Sequence, residues 1–165
     1  MNNLIIIAHP NKESFCYSGI YKTILLTLLK NNESIKVLDL YSDDFTRPRT
    51  DLIQSYKEAV TWSNRIYIVS PVWWFRLTPR METFFDEVFT PGFAYKFVPI
   101  TKLYGYPKPL LSDKKVRTYL THGAPALPVK ILYLNSVKLR LVMGVYSFVF
   151  GWFKTKTRQF WSVPF

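Results

Sequence analysis

Residues 66–75 read IYIVSPVWWF, and this stretch decides the fold. Its first half, Ile66-Tyr67-Ile68-Val69, is a continuous apolar run with three β-branched residues. Such a run describes a strand buried on both faces of a parallel sheet. Ser70-Pro71 ends it, because proline has no N–H to give to a sheet ladder. Two tryptophans and a phenylalanine follow directly. Open α/β sheets bind ligands just past the carboxyl ends of central strands, and the flat faces of Trp73, Trp74 and Phe75 suit a flat ligand. The alternative is that the three rings only fill the gap between sheet and next helix, as buried aromatics do in cores.

The chain on either side supplies the rest of such a sheet. Residues 3–8 (NLIIIA) read as the first strand, ended by His9-Pro10-Asn11. A helical pattern runs from an N-cap at Ser14 to about Lys30, with Ile20, Ile24, Leu25, Leu28 and Leu29 on one face. Residues 34–40 alternate and read as a second strand. Asp51 is placed to cap a helix over residues 52–62. Past the central strand, Thr78-Pro79 opens a third helix through Met81, Phe84, Phe85 and Val88, with Thr78 as N-cap and Pro79 at the first helical position. Residues 91–112 read as a long irregular loop rich in aromatics and prolines, and loops of that length are functional or interfacial. Residues 115–120 form a fourth strand, 121–125 a tight loop and 128–142 a helix. A last strand falls between residues 146 and 163, where 148–153 competes with 159–163. This order predicts a doubly wound five-stranded parallel sheet with helices on both faces, in a single domain of residues 1–165.

Composition narrows the function classes. Apolar residues make up 48% of the 165, enough for a core without staples. The single cysteine, Cys16, excludes an internal disulfide and a Cys-based zinc site. The first strand begins at residue 3 with no basic leader before it, which predicts a cytoplasmic protein. Net charge is +11, from 22 Lys and Arg against 11 Asp and Glu, and that field attracts anions. Charge alone would suit nucleic acid, but no recognition motif accompanies it, so no nucleic-acid partner is expected. Residues 141–153 are charge-free but too few for a membrane span, which needs about 20. They read as a buried helix end plus a core strand.

Three loops after strand ends would gather on one edge: residues 9–15, 71–75 and 121–125. The first, HPNKESF, leads into a helix, whose N-terminal N–H groups and partial positive charge make a phosphate site. Neither GxGxxG nor GxxxxGK[ST] occurs, which disfavours a dinucleotide fingerprint and a P-loop.

Three segments together resemble the flavodoxin-like NAD(P)H:quinone oxidoreductases, the family of the DT-diaphorases and their small bacterial members. They are LIIIAHPNKESF, then IYIVSPVWWFRLTPRMETFFDEVFTPGFAYKF, then TYLTHGAP. The middle one is the most specific. It supplies Pro71, Trp73, Trp74, Pro79, Asp86, Val88, Phe89, Gly92, Phe93, Ala94 and Tyr95 in step with the family pattern. The likeness covers residues 4–125 and continues more loosely beyond.

The resemblance implies a flavodoxin-like fold and a bound flavin, FMN or else FAD. It implies two-electron transfer from NAD(P)H to a quinone or similar acceptor by a ping-pong mechanism. It also implies a homodimer with the site at the subunit boundary. By position, His9, Ser14, Phe15 and Cys16 would surround the flavin phosphate. Pro71, Val72, Trp73, Trp74 and Phe75 would run along the ring edge and give it backbone N–H contacts. Thr121, His122, Gly123 and Ala124 would approach the pyrimidine end. The family's third loop is usually Thr-Thr-Gly-Gly. Here Ala124 stands where a glycine would permit φ > 0, and His122 is the candidate catalytic group, as a cation facing the reduced flavin. The aromatic loop that holds Phe93, Tyr95, Phe97, Tyr104 and Tyr106 would cover the partner subunit's site. A second reading is a nucleotide-binding regulatory subunit docked on a potassium-efflux transporter, with little turnover. A third is a scaffold that has lost its flavin.

Overall fold

The computed structural model describes residues 1–101 and 105–164. Two runs buried at every residue but the first set its centre: β1 (Asn2–Ile7) and β3 (Arg65–Pro71). They pair in parallel, with Ile5 opposite Tyr67. β2 (Ser34–Asp39) joins β1 on one side. β6 (Lys115–Thr121) and then β7 (Thr155–Phe160) join β3 on the other. The order β2-β1-β3-β6-β7 is parallel throughout. The chain reverses its direction of travel across the sheet between β1 and β3. That makes the crevice above these two strands the topological switch point, where such sheets bind ligands.

Alternation along β1 and β3 explains why both faces are covered. Leu4, Ile6, Ile66 and Ile68 point to one side, where they meet α2 (Thr50–Trp62), α3 (Pro79–Val88) and the C-terminal helical segments. Ile5, Ile7, Tyr67 and Val69 point to the other, against Ile20, Ile24 and Leu28 of the first helix. That helix starts as a π-helical turn, Cys16–Tyr21, and continues as α1 (Lys22–Lys30). Leu25 is only partly buried and Leu29 is exposed, so the buried stripe is narrower than the sequence pattern suggested. Among the described residues this helix is the one that packs on its face of the sheet. Beside it a groove of about 490 Å³ is left open over β6 and β7, lined by Tyr67, Arg117, Tyr119, Arg158 and Phe160 among others.

Five local expectations are corrected. Residues 91–112 are not irregular throughout: β4 (Tyr95–Pro99) and β5 (Gly105–Pro109) form an antiparallel hairpin. Its prolines argued against strands, but a two-stranded ribbon is all edge, and edges tolerate proline. Tyr104 lies outside the described residues. The helix expected over 128–142 is broken into α4 (Ala126–Ile131), α5 (Ser136–Leu139), a π-helical segment Arg140–Tyr146 and a short α6 (Ser147–Val149), with Leu134 and Asn135 both at positive φ. Residues 148–153 form no strand. The last strand is the polar TKTRQF, whose edge position needs no apolar run. Asp51 does not cap α2, which begins at Thr50 and holds Asp51 in its first turn. Thr78 does precede Pro79 at the start of α3, but its hydroxyl reaches the Ala8 carbonyl at 3.5 Å instead of capping. No helix among the described residues is long and apolar enough to cross a membrane.

Candidate functional site

Three strand ends converge on one cleft of about 530 Å³. The loop after β1 brings His9, Asn11, Glu13, Ser14, Phe15 and Cys16. The end of β3 brings Pro71, Val72 and Trp73. The end of β6 brings Thr121, His122 and Gly123. The loops are tied to one another. Cys16 Sγ lies 3.5 Å from Thr121 Oγ1, the His9 and Trp73 rings meet edge to face, and the Val72 N–H donates to the Thr121 carbonyl at 2.8 Å. Burial pushes the Cys16 thiol up to about 11, so it is a packing group and not a reactive thiolate.

Ser14 does not act as the expected N-cap. The helix starts after Phe15 with no side-chain cap, and it is the Ser14 carbonyl that accepts the N–H groups of Tyr17 and Ser18. The Ser14 hydroxyl is buried without a hydrogen-bond partner among the described residues. A hydroxyl in that state costs free energy until something bonds to it. Ser14 is itself among the residues that line the cleft. The His9 ring is held at Nδ1 by the Asn11 backbone, 3.0 Å away, and burial lowers its pKa.

The middle loop differs from expectation. The N–H of Val72 goes to Thr121 and that of Trp73 to the Arg76 carbonyl, so neither is free for a ligand. Trp73 and Arg76 close a two-residue hairpin whose central residues, Trp74 and Phe75, both have positive φ, 50° and 58°. Asn-Gly suits such a turn, and two aromatics strain it. Trp74 is exposed, and the Phe75 ring meets that of Tyr133 at a tilt of 37° with centroids 4.4 Å apart. Neither lines the cleft, and Ala124 does not either.

The third loop presents the opposite case. The N–H groups of Gly123 and Ala124 have no partner among the described residues. Ala124 is not at positive φ, so the missing glycine costs nothing there. His122 lines the cleft but is not a cation. Burial lowers its pKa to about 4, its ring stacks on Trp161 at 4.1 Å, and Gln159 Nε2 lies 3.0 Å from its Nε2. An amide nitrogen only donates, so His122 Nε2 accepts and the ring proton sits on Nδ1. The expected charge on this residue is therefore absent at neutral pH.

A measurement follows from that shift. The unfolded chain binds the His122 proton near the ordinary value of 6.5, the folded chain only near 4. Between these values acid favours the unfolded state, so stability falls as pH drops through that window. His122→Phe keeps the stack on Trp161 and is expected to flatten that part of a Tm-against-pH curve. An unchanged acid limb would show that the residue titrates alike in both states.

The cleft includes four residues outside the expected set: Asn11, Glu13, Val163 and Pro164. Asn11 and Glu13 sit inside the HPNKESF loop, and their place within it was the available signal. Val163 and Pro164 follow β7, whose position the sequence pattern left open.

Comparisons with known proteins agree with this geometry. An uncharacterised NAD(P)H oxidoreductase of Haemophilus influenzae is 26% identical over 137 residues, which cover 75% of this chain and 65% of the relative. A second curated relative, from Bacillus subtilis, is matched over only 45% of its length, so the chain spans less than two-thirds of these relatives. The solved NAD(P)H:quinone oxidoreductase from Methanothermobacter marburgensis has a TM-score of 0.76 at 16% identity, covering 99% of this chain and 86% of that one. An FMN-dependent NADH-azoreductase from Bacillus anthracis, solved with FMN, has a TM-score of 0.72 at 18% identity, covering 96% and 85%. At such identities these structures attest the fold. The family model described as a flavodoxin-like fold matches residues 1–136, and with the sheet order and switch-point cleft this makes the chain a member of the flavodoxin-like family.

Proposed function

We propose that this chain is a flavin-dependent NAD(P)H oxidoreductase that passes two electrons to a quinone or similar acceptor. The observation that carries the reading is the donor set of the cleft. A buried Ser14 hydroxyl stands at a helix start and the Gly123 N–H lies on the lining, both without a partner among the described residues. That set fits FMN, the group with which the Bacillus anthracis azoreductase was solved. FAD would need the same contacts.

When bound, the flavin supplies hydride chemistry between nicotinamide and acceptor. The chain's own residues bind and orient. His9, Ser14, Phe15 and Cys16 form the phosphate end, with Ser14 as donor. Trp73 and Val72 wall the ring. The Gly123 N–H would offer a fixed amide dipole to the bound ring, the task first expected of His122. A single slot that admits one flat partner at a time predicts ping-pong kinetics. The cationic surface helps to collect NAD(P)H. A homodimer belongs to the same proposal. Phe97 and Tyr106 on the β4–β5 hairpin are exposed and do not line their own cleft, which suits a role at a partner's.

The test is the visible spectrum of the purified protein reconstituted with FMN, followed by anaerobic NADPH or NADH. Flavin bands that bleach on addition, and return with a soluble quinone, are the expected result. A protein that takes up no FMN would overturn the reading.

A further inference from the structure

Gly123 lines the cleft, and its N–H has no partner among the described residues. Glycine loses more backbone freedom on ordering than any other residue, and it has no side chain to anchor it. Its neighbours supply the hold. The His122 N–H donates to the Phe160 carbonyl at 2.8 Å, the Val163 N–H to the His122 carbonyl at 3.0 Å, and the Ser162 N–H to the Ala124 carbonyl at 3.2 Å. The segment after β7 therefore grips the third loop on both sides of Gly123.

Side chains close the same grip. The Trp161 and His122 rings stack with centroids 4.1 Å apart and 21° between their planes. Lys130 Nζ lies over the Trp161 ring, 5.6 Å from its centroid. Gln159 Nε2 lies 3.0 Å from His122 Nε2, and two bonds of 2.9 Å hold Gln159 to Asn135. His122 is buried and Trp161 half-buried. Neither Trp161 nor Gln159 lines the cleft, so both act one layer behind it. Ser162 follows the tryptophan at φ 56°, a conformation that a serine keeps only where its surroundings enforce it. A smaller side chain at 122 would give Trp161 no ring to stack on.

We infer that the Trp161–His122 stack positions the Gly123 N–H for a bound flavin ring, with Trp161 as a positioning residue behind the cleft wall. This rests on the proposed flavin site and names the group that orders its third loop. A donor fixed in advance needs no reorganisation when the ligand arrives.

The test is fluorescence titration of the full chain with FMN and with riboflavin. Trp161→Ala should weaken both ligands alike, by about tenfold, since the loop faces the ring and not the phosphate. Trp161→Phe keeps an aromatic ring on His122 and should stay within about twofold of the wild type. His122→Ala removes the stack from its other side and should also weaken both ligands. The double variant should lose no more than His122→Ala alone, because the two rings act as one unit. The midpoint potential of bound FMN should fall in Trp161→Ala, as a loosened donor stabilises the reduced ring less. Circular dichroism reports the fold of each variant. Wild-type protein that takes up no flavin would overturn the proposed function and this inference with it. Equal affinity and potential in wild type and Trp161→Ala would overturn this inference alone. So would losses that add in the double variant, or a loss confined to FMN. Unfolding of both single variants would also overturn it, leaving the stack a structural contact only.

Discussion

Ser14→Asp is expected to weaken FMN binding by about two orders of magnitude, since setting like charges together in a site costs several kcal/mol. Ser14 lines the cleft, and its hydroxyl has no partner among the described residues. A carboxylate in its place would face the flavin phosphate. The variant should fold normally, because Ser14 serves the helix through its backbone carbonyl and not through its side chain. Fluorescence titration of the apoprotein with FMN and with riboflavin separates the explanations. Riboflavin lacks the phosphate, so its affinity should hardly change. If both ligands lose affinity equally, Ser14 is not at the phosphate end and the orientation proposed for the cofactor is wrong.

The largest stability effect is expected at Phe84. This ring is fully buried in α3 and meets Tyr56 at 5.4 Å, Phe89 at 5.5 Å and Phe85 at 6.2 Å between centroids. Phe84→Ala removes the centre of an aromatic cluster that one side of the sheet rests on. It should cost about 3–5 kcal/mol, the transfer and cavity contributions together. That is a large part of the total stability of an ordinary domain. Urea unfolding should show a lower midpoint with an unchanged slope. Phe97→Ala, on the exposed side of the hairpin, should change stability by no more than about 0.5 kcal/mol. A loss below about 1 kcal/mol at Phe84 would mean that its neighbours close the cavity, and that the sheet does not depend on this cluster.

What the sequence made legible follows from burial. β1 and β3 are apolar because both of their faces are covered, so their runs stand out. With them came the switch point and two of the cleft's three loops. β7 was hidden for the same reason in reverse. It is an edge strand facing an open groove, so TKTRQF needs no apolar pattern. The hairpin was hidden by its prolines. The break in the helix after the third loop comes from Leu134 and Asn135 at positive φ, and nothing in LYLNS announces a left-handed leucine. At the site, residue types pointed to the right loops, but hydrogen-bond partners could not be read. The tied-up amides of Val72 and Trp73, the free ones of Gly123 and Ala124, and the neutral state of His122 all depend on contacts across 37 or more positions in the chain or on turn geometry.

The polar character of β7 has one more consequence. An open parallel sheet has two unpaired edges, and each is a template on which another chain could add a strand and begin a fibril. Here the outer strands are β2 and β7. β2 carries Lys36, and β7 carries Lys156 and Arg158, all exposed. A strand docking in register from a second molecule would bring like charges side by side along its length. The same residues that made the last strand hard to find are those that oppose edge-to-edge pairing.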